Sequence, residues 1–211
     1  MPRQALRTGL LLGAFALGGT LLVAATHQLT AQRIAANERA YLLRTLHELI
    51  PAGLYDNDLV RDRILVRDPL LGSREPLPVF RARKGGRPVA AVLTAVAPDG
   101  YGGAIRLLVG VRYDGTVLGV RILSHKETPG LGDAIDQSKS PWVESFRGKR
   151  LGDPPARLWR VKKDGGVFDQ FTGATISPRA VVAAVRRALE YYTRHRDEIF
   201  AAPAVQEAPH G

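Results

Sequence analysis

The chain has 211 residues, of which 30 are lysine or arginine and 20 are aspartate or glutamate, so its formal net charge is +10. It contains no cysteine, which excludes disulfides, cysteine-held iron–sulfur clusters, thiolate zinc sites and a cysteine nucleophile. The basic residues are scattered, and no RNP, zinc-finger or basic-helix pattern accompanies them, so we expect no nucleic-acid partner.

The first predicted element is an apolar helix near the N-terminus. Residues 9–26 carry no charge, and with the margin up to residue 29 the run reaches about 20 residues, the length that crosses a bilayer as a helix. A cleaved signal peptide is the alternative, because Arg3 and Arg7 precede the run. The run is long for a signal peptide and continues into a helical pattern, so we interpret residues 9–29 as a single membrane-spanning helix.

The order of segments around this helix follows from charge and composition. Arginines lie on both sides of it, so the positive-inside count does not decide the orientation; a very short basic N-terminus usually stays inside, which places residues 1–8 in the cytoplasm. We interpret residues 30–55 as an amphipathic stalk, whose helical pattern stops before Pro51. Residues 56–200 form the folded domain, and the Ala/Pro-rich residues 201–211 a disordered tail.

Strand patterns dominate the first half of the domain. Three short candidates come first, at residues 59–66, 78–83 and 89–97. A hairpin of residues 104–113 and 116–124 follows around Asp114-Gly115, a two-residue turn signal in which both turn positions need positive φ. A second hairpin is suggested by residues 158–163 and 167–171 around Gly165-Gly166. These elements predict an α+β domain with a twisted, mostly antiparallel sheet and packed helices.

The second hairpin leads into the segment DQFTGATIS, residues 169–177. Gly173 and Ala174 leave the backbone bare, so a large group can approach the Thr175 hydroxyl. Ser177 suits a helix N-cap and Pro178 the first helical position. Thr175 then lies just outside a helix N-terminus, where free N–H groups and the helix dipole favour a phosphate. The same residues are also compatible with an ordinary small-residue loop before a helix.

Three stretches of the chain resemble a known family. They are GYGGAIRLLVGV (100–111), GVRILSHKETPGLGD (119–133) and WRVKKDGGVFDQFTGATISPRAVVAAV (159–185), and their order and spacing match as well. The chain resembles the membrane-anchored flavin subunits of ion-translocating redox complexes, specifically the G subunit of the Rnf-type electron-transport complex. The C subunit of the sodium-translocating NADH:quinone reductase is a more distant relative.

The resemblance implies one FMN, joined through its phosphate to the hydroxyl of Thr175 by a separate flavin transferase that uses FAD. It also implies hydrogen bonds from Glu127 and Thr128 to the flavin, although Thr128-Pro129-Gly130 is also compatible with a simple turn. Tyr101 falls where the distant relative has an aromatic residue near the flavin, with core packing as the alternative. The expected cofactor-binding residues are Thr175, Thr172, Gly173, Ala174, Glu127, Thr128, Leu131, Gly132 and Tyr101.

The same resemblance implies a redox subunit of a translocase complex rather than a stand-alone enzyme, with no catalytic residue of its own. Such a protein carries electrons on its FMN while the complex couples electron exchange between ferredoxin and NAD to movement of Na⁺ or H⁺. Its partners are the other membrane and peripheral subunits of that complex. It lies in the bacterial inner membrane as a single-pass protein with a periplasmic FMN-binding domain. The alternative is a membrane-anchored flavin-binding sensor or regulatory module.

Three further groups of side chains are candidates for the site. His125 and Glu127 alternate in a way that suits a metal pair, but no third ligand accompanies them, so we expect no metal site. Lys162 and Lys163 are candidates to lie near the phosphate or the flavin pyrimidine. Two tryptophans, Trp142 and Trp159, are expected in the core, with flavin contact as the alternative.

Overall fold

The structure is a computed structural model that describes the backbone of residues 2–205. Of the side chains in that range, those of residues 2–6, 32, 34–36, 38 and 39 lie outside the description. Residues 206–211 of the predicted tail, and Met1 of the predicted cytoplasmic segment, also lie outside the described residues. The chain divides into two compact units, Met1–Arg44 and Thr45–Gly211.

A single long helix, α1 (Pro2–Leu49), accounts for the described part of the first unit. Its segment Arg7–Ala31 is 25 residues long and, by length and composition, apolar enough to cross a bilayer. The hydroxyls of Thr20, Thr26 and Thr30 each donate to the carbonyl four residues earlier at 2.8 Å, which satisfies these polar groups within the helix. The helix ends two residues before Pro51, so the predicted stop is confirmed.

The second unit is built on one open five-stranded sheet. Its strands are β1 (Arg63–Val66), β2 (Leu77–Lys84), β3 (Arg87–Gly100), β4 (Gly103–Arg112) and β5 (Val117–Ser124). Neighbouring strands are antiparallel and lie in sequence order, which confirms the predicted α+β class and the antiparallel sheet. The strand predicted from residue 59 begins only at Arg63, because the Asp58 side chain accepts from the amides of Val60 and Arg61 and forms a turn there.

The hairpin between β4 and β5 is present, but its turn differs from the prediction. Gly115 has φ +89°, whereas no non-glycine residue of the described chain has positive φ, so the two-residue turn with Asp114 in that region is wrong. The Gly115 amide donates to the Arg112 carbonyl at 2.9 Å, and the Arg112 amide donates to the Thr116 carbonyl at 2.8 Å. The connection is therefore a three-residue loop with glycine in the left-handed position.

Helix α2 (Ile176–Ala201) covers one face of the sheet and forms the main core with it. Its predicted apolar stripe is buried in full: Val181, Val185, Ala188, Leu189 and Tyr192. On the sheet side, alternate residues of β3 complete this layer, among them Ala91, Leu93 and Ala95. The main core is thus a layer of apolar side chains between a regular helix and a regular sheet.

The last turn of α1 packs within the second unit on a pair of facing glycines. Gly110 of β4 and Gly119 of β5 are opposite each other in the sheet. A Cβ built on Gly119 would lie 3.1 Å from Leu49 Cδ2, and one on Gly110 would lie 3.3 Å from Leu49 Cβ. Glu48 adds an ion pair with Arg121 at 3.2 Å. The glycine pair therefore provides the space that the buried Leu49 side chain occupies.

Between β5 and α2 the described chain forms loops and short 3₁₀ turns instead of the predicted second hairpin. Residues Lys162–Asp164 form one such turn, which Gly165 ends at φ +79°, and Val161 and Phe168 share only an isolated bridge. Trp159 and Phe168 both pack into the core, with ring centroids 5.3 Å apart. Residues 158–171 therefore pack through these aromatic rings and do not pair as two strands. Trp142 and Trp159 are buried in the core, as predicted.

Candidate functional site

Three loops meet at one end of the sheet and enclose a cavity of about 290 Å³. They are the turn between β3 and β4, the segment after β5 and the segment before α2. The cavity is lined by Tyr101, Glu127, Thr128, Leu131, Gly132, Gly173, Ala174, Thr175, Ile176 and Ser177. The structure thus brings together all the predicted cofactor-binding residues except Thr172, which is exposed beside the cavity.

Thr175 occupies the N-cap position of α2, but its hydroxyl makes no capping hydrogen bond. The helix begins at Ile176, so the prediction of Ser177 as N-cap and Pro178 as first helical residue is wrong. Both lie in the first turn and are buried, and the Ser177 hydroxyl donates to Glu127 instead of capping the helix. The Thr175 side chain is left uncommitted to the helix and faces the cavity.

The chain reaches Thr175 through a tight turn. The Ala174 amide donates to the Phe171 carbonyl at 3.1 Å, and Gly173 takes φ +80°, a conformation that side chains other than glycine rarely adopt. A Cβ at Gly173 would also lie 3.5 Å from Leu131 Cδ2. Earlier in the same segment, Trp142 Nε1 donates to the Asp169 carbonyl at 2.8 Å and anchors the segment to the core.

Glu127 is the buried charged side chain among the described residues that line the cavity, only 5% exposed. One carboxylate oxygen accepts from the Gly102 amide at 3.0 Å, and the other accepts from the Ser177 hydroxyl. Its neighbour Thr128 is exposed, and the Thr128 carbonyl accepts from the Leu131 amide at 3.1 Å. Thr128-Pro129-Gly130 is therefore a turn, as the alternative interpretation had it, and Thr128 also lines the cavity.

Three large apolar side chains surround the cavity and remain open to solvent. Tyr101 is 70% exposed, Leu131 45% and Ile176 44%; we call these three residues the apolar rim. Core packing for Tyr101 is therefore wrong. Apolar side chains exposed beside a concave site are typical of a surface that receives a ligand or a partner.

Two cations near the segment of residues 169–177 are already paired, Lys162 and Arg179. Lys162 Nζ lies 2.5 Å from Asp169, and Arg179 donates twice to Asp164, at 2.6 and 2.7 Å. The Arg179 hydrogen bond holds the pKa of the Asp164 carboxyl below its ordinary value. Neither Lys162 nor Lys163 lines the cavity, so the prediction that they lie near the phosphate gains no support from the lining.

Comparisons with known proteins agree with this geometry. Residues 100–190 match the family model of the FMN-binding domain, and residues 1–49 match that of the RnfG N-terminal region. The chain is 54% identical over 200 residues to the G subunit of the ion-translocating oxidoreductase complex of Pseudomonas aeruginosa (strain UCBPP-PA14), with 94% of each chain covered. The chain belongs to the family of these G subunits.

Further relatives give the same result. The G subunit of Shewanella baltica (strain OS223) is 49% identical over the full length of both chains, and that of Vibrio atlanticus (strain LGP32) is 48% identical over 93% of this chain and 94% of the relative. Among solved structures, the C subunit of the Na⁺-translocating NADH-quinone reductase from Parabacteroides distasonis has a TM-score of 0.46 at 21% identity, covering 70% of this chain and 69% of that one.

Every residue that lines the cavity lies within residues 100–190, the part of the chain that matches the FMN-binding domain. The lining suits FMN in five respects. The Thr175 hydroxyl is free, the first-turn amides of Ile176 and Ser177 have no intrahelical acceptor, and no acidic residue lies in that turn to repel a phosphate. The apolar rim suits a planar ring, and the cavity volume of about 290 Å³, just below the usual range of about 300–1,000 Å³, suits a ring that stays partly exposed.

The predicted metal candidate His125 lies outside the lining. His125 Nδ1 accepts from the Glu127 amide at 3.1 Å, and its other ring nitrogen lies 3.9 Å from Asp136. Across the described residues, no three His, Asp or Glu side chains are grouped to hold a metal ion. Sequence reasoning missed Ile176 and Ser177 as lining residues; an available signal was the polar Ser177 only two residues beyond Thr175.

Proposed function

We propose that the protein is the electron-carrying flavin subunit of a membrane-bound ion-translocating oxidoreductase, with one FMN attached through its phosphate to the hydroxyl of Thr175. The proposal rests on the Thr175 hydroxyl, which makes no capping hydrogen bond to the helix. Thr175 lies at a helix N-terminus and lines the cavity of an FMN-binding domain. The relatives at about half identity are subunits of ion-translocating oxidoreductase complexes, which favours the same assembly over a sensor or regulatory module.

Different residues of this chain bind different parts of the cofactor. The Thr175 oxygen supplies the ester bond, and the positive end of α2, with the amides of Ile176 and Ser177, stabilises the phosphate charge. The apolar rim contacts the ring system. FMN, when bound, supplies the exchange of one or two electrons. The chain supplies position, because a covalent tether keeps the ring at this site through every turnover.

Attachment is a single transfer made during maturation by a separate flavin transferase with FAD as donor. The Thr175 oxygen bonds to the phosphorus on the flavin side, the pyrophosphate bond of FAD breaks, AMP leaves, and the threonine proton passes to solvent. Gly173 and Ala174 expose almost no side chain at this point, which gives the transferase and its substrate room to approach. The finished ester has no further chemistry to perform.

The proposal extends to location and partners. The helix Arg7–Ala31 anchors the chain in the bacterial inner membrane, with the flavin domain on the periplasmic side. Electrons pass through the bound FMN between other membrane and peripheral subunits, and the whole complex exchanges them between ferredoxin and NAD while moving Na⁺ or H⁺. The absence of cysteine is compatible with an oxidising compartment.

Flavin fluorescence in a denaturing gel tests the attachment. The full chain is produced together with a flavin transferase, as wild type, Thr175→Ala and Thr193→Ala. Thr193 lies on the same helix with its hydroxyl bonded to the Leu189 carbonyl, so it controls for loss of a threonine hydroxyl from α2. We expect fluorescence, and an intact mass raised by one FMN less one water, in all but Thr175→Ala. Fluorescence that survives in Thr175→Ala excludes the linkage, and a dark wild type excludes the flavin assignment.

Thiol labelling tests the orientation, and the cysteine-free chain provides its own blank. One variant carries Lys139→Cys on an exposed loop of the domain, and a second carries a cysteine within residues 1–8. In intact cells with a permeable outer membrane, a reagent that cannot cross the inner membrane should label only the first. Labelling of the second alone would place the domain in the cytoplasm.

A further inference from the structure

The carboxylate of Glu127 is buried without a cation. In the described structure it forms no ion pair, and its two oxygens accept from a backbone amide and a hydroxyl, those of Gly102 and Ser177. Burial of a charge is costly unless hydrogen bonds replace the lost water, so both bonds are needed to hold the group in place. The two donors come from different elements, since Gly102 lies in the turn between β3 and β4 and Ser177 in the first turn of α2.

The chain packs around this carboxylate through glycines. A Cβ on Gly100 would lie 2.8 Å from Glu127 Oε1, and one on Gly132 would lie 2.9 Å from Oε2 and 2.6 Å from the Ser177 hydroxyl. A Cβ on Gly102 would overlap the carbonyl of Lys126. No larger residue fits at these three positions without displacement, so the loops meet at Glu127 in one arrangement.

Each segment that contacts Glu127 also carries part of the cavity wall. Tyr101 stands between Gly100 and Gly102, Leu131 precedes Gly132, and Thr175 and Ile176 precede Ser177. A shift of any one segment against Glu127 therefore moves the attachment oxygen relative to the apolar rim. We call the contact of Glu127 with Gly102 and Ser177 the junction. Displacements near 1 Å change the reactivity of a positioned group by about 100-fold, so the geometry of the junction controls the reactivity of the Thr175 hydroxyl.

We propose that Glu127 is a positioning residue: through Ser177 and Gly102 it fixes the Thr175 hydroxyl relative to the apolar rim, and so sets both the rate of flavin attachment and the orientation of the attached ring. Glu127 acts here through its two protein partners rather than by contact with the flavin. Ser177 serves this junction instead of capping α2, which accounts for a hydroxyl two residues after the attachment site. The inference rests on the function proposed above.

Substitutions separate positioning from a direct electrostatic effect on the flavin. Glu127→Gln removes the charge but keeps both bonds, because the amide oxygen accepts from Gly102 and the amide nitrogen donates to Ser177. Glu127→Ala loses both bonds and Ser177→Ala loses one, whereas Ser177→Thr keeps the hydroxyl. Lys126→Ala, at the exposed neighbouring side chain, is the matched control.

Two readouts are measured on the full-length chain in detergent. The first is the rate at which a flavin transferase with FAD loads the purified flavin-free chain. The second is the visible circular dichroism of the loaded chain, which reports ring orientation. We expect Glu127→Ala and Ser177→Ala to slow loading about tenfold or more and to lose most of the dichroism. Glu127→Gln, Ser177→Thr and Lys126→Ala should stay within about twofold of wild type.

The double variant Glu127→Ala/Ser177→Ala should be loaded with flavin no more slowly than Glu127→Ala alone, because each single variant already removes the hydrogen bond between the two residues. Where Glu127→Ala fails to fold, the contrast between Ser177→Ala and Ser177→Thr decides the same question. Wild-type behaviour of Ser177→Ala overturns the positioning role, and so does Glu127→Gln matching Glu127→Ala, which would indicate direct tuning by charge. A wild-type chain that takes up no flavin defeats the proposed function first, so the two failures are distinguishable.

Discussion

The interface between the sheet and α2 differs in kind from the junction around Glu127. The interface is a regular layer of buried apolar side chains from one helix and from alternate positions of the facing strand. At the junction, the turn between β3 and β4, the segment after β5 and the first turn of α2 meet, held by two hydrogen bonds to one carboxylate and by glycines that allow close contact. Burial of apolar surface stabilises the interface, and hydrogen bonds stabilise the junction.

Because of this difference, the interface sets the free energy of unfolding, whereas the junction sets the position of Thr175. Each fully buried Val or Leu contributes about 1.5–3 kcal/mol, so the many core side chains dominate the free energy of unfolding. A hydrogen bond to a charged group contributes about 1.5–3 kcal/mol, and the junction has only two. The junction is thus a minor part of the fold's stability, yet it controls the position of Thr175. Substitutions in the two regions should therefore affect different measurements.

A crossed pair of substitutions gives the largest expected contrast. Thr175→Ala should abolish covalent flavin while changing the free energy of unfolding by less than about 0.5 kcal/mol, because its hydroxyl makes no capping bond. Leu189→Ala, in the core face of α2, should cost about 2–5 kcal/mol while the folded fraction still accepts flavin. Urea denaturation and in-gel fluorescence on the same samples check both. If Thr175→Ala were as destabilising as Leu189→Ala, the separation would fail.

Substitution in the glycine pair Gly110 and Gly119, which contacts Leu49, tests how close packing outside the cavity affects the free energy of unfolding. Gly119→Ala places a methyl group 3.1 Å from Leu49 Cδ2, so we expect a loss of about 1–3 kcal/mol from overpacking. In a Leu49→Ala background the same methyl group has room, and its cost should fall by more than half. Flavin loading should not change in any of these variants.

Gly53→Ala is the matched control for that series. Its Cβ would meet nothing within 4 Å and its backbone is not left-handed, so its effect on urea denaturation should be near zero. Equal costs for Gly119→Ala with and without Leu49 would show that the buried leucine does not depend on the glycine pair.

The regular elements were predictable because their signals are local. The strand segments of β2–β5 and the 3.6-residue stripe of α2 are patterns of residues within one element, and the structure contains both. The turn error at Asp114 was also local: the Asp-Gly signal does not distinguish a two-residue loop from a three-residue loop, and here only Gly115 takes positive φ.

The loops were not predictable because their partners lie far along the chain. Ser177 has the local marks of an N-cap, but its hydroxyl is bonded to Glu127, fifty residues earlier. The second hairpin failed for a similar reason, since Trp159 and Phe168 pack into a shared aromatic cluster. That the ligand is a flavin came from the family resemblance, whereas the free hydroxyl at a helix start could be inferred from the residues around Thr175.

The smallest expected effect concerns the ion pair that ties the loop Lys162–Asp164 to α2. Arg179 lies four residues after Thr175 and donates two hydrogen bonds to the Asp164 carboxylate. That bonding, led by the Arg179 hydrogen bond, lowers the Asp164 pKa below the ordinary value of 3.8. A lowered folded-state pKa adds stability that is fully present above the unfolded-state value and is lost as the pH falls through the folded-state value. Asp164→Asn should therefore lower the urea midpoint slightly at pH 7, with the difference from wild type disappearing below the folded-state pKa.

The pair is exposed to solvent, so salt should shrink that difference further at pH 7. Glu75→Gln is the control, because Glu75 is exposed and forms no ion pair in the described structure. Flavin loading should respond more weakly to Asp164→Asn than to Ser177→Ala, since the Asp164 loop supplies no residue to the cavity lining. A loading defect in Asp164→Asn as large as that in Ser177→Ala would show that the geometry at Thr175 is shared with the ion pair rather than concentrated at Glu127.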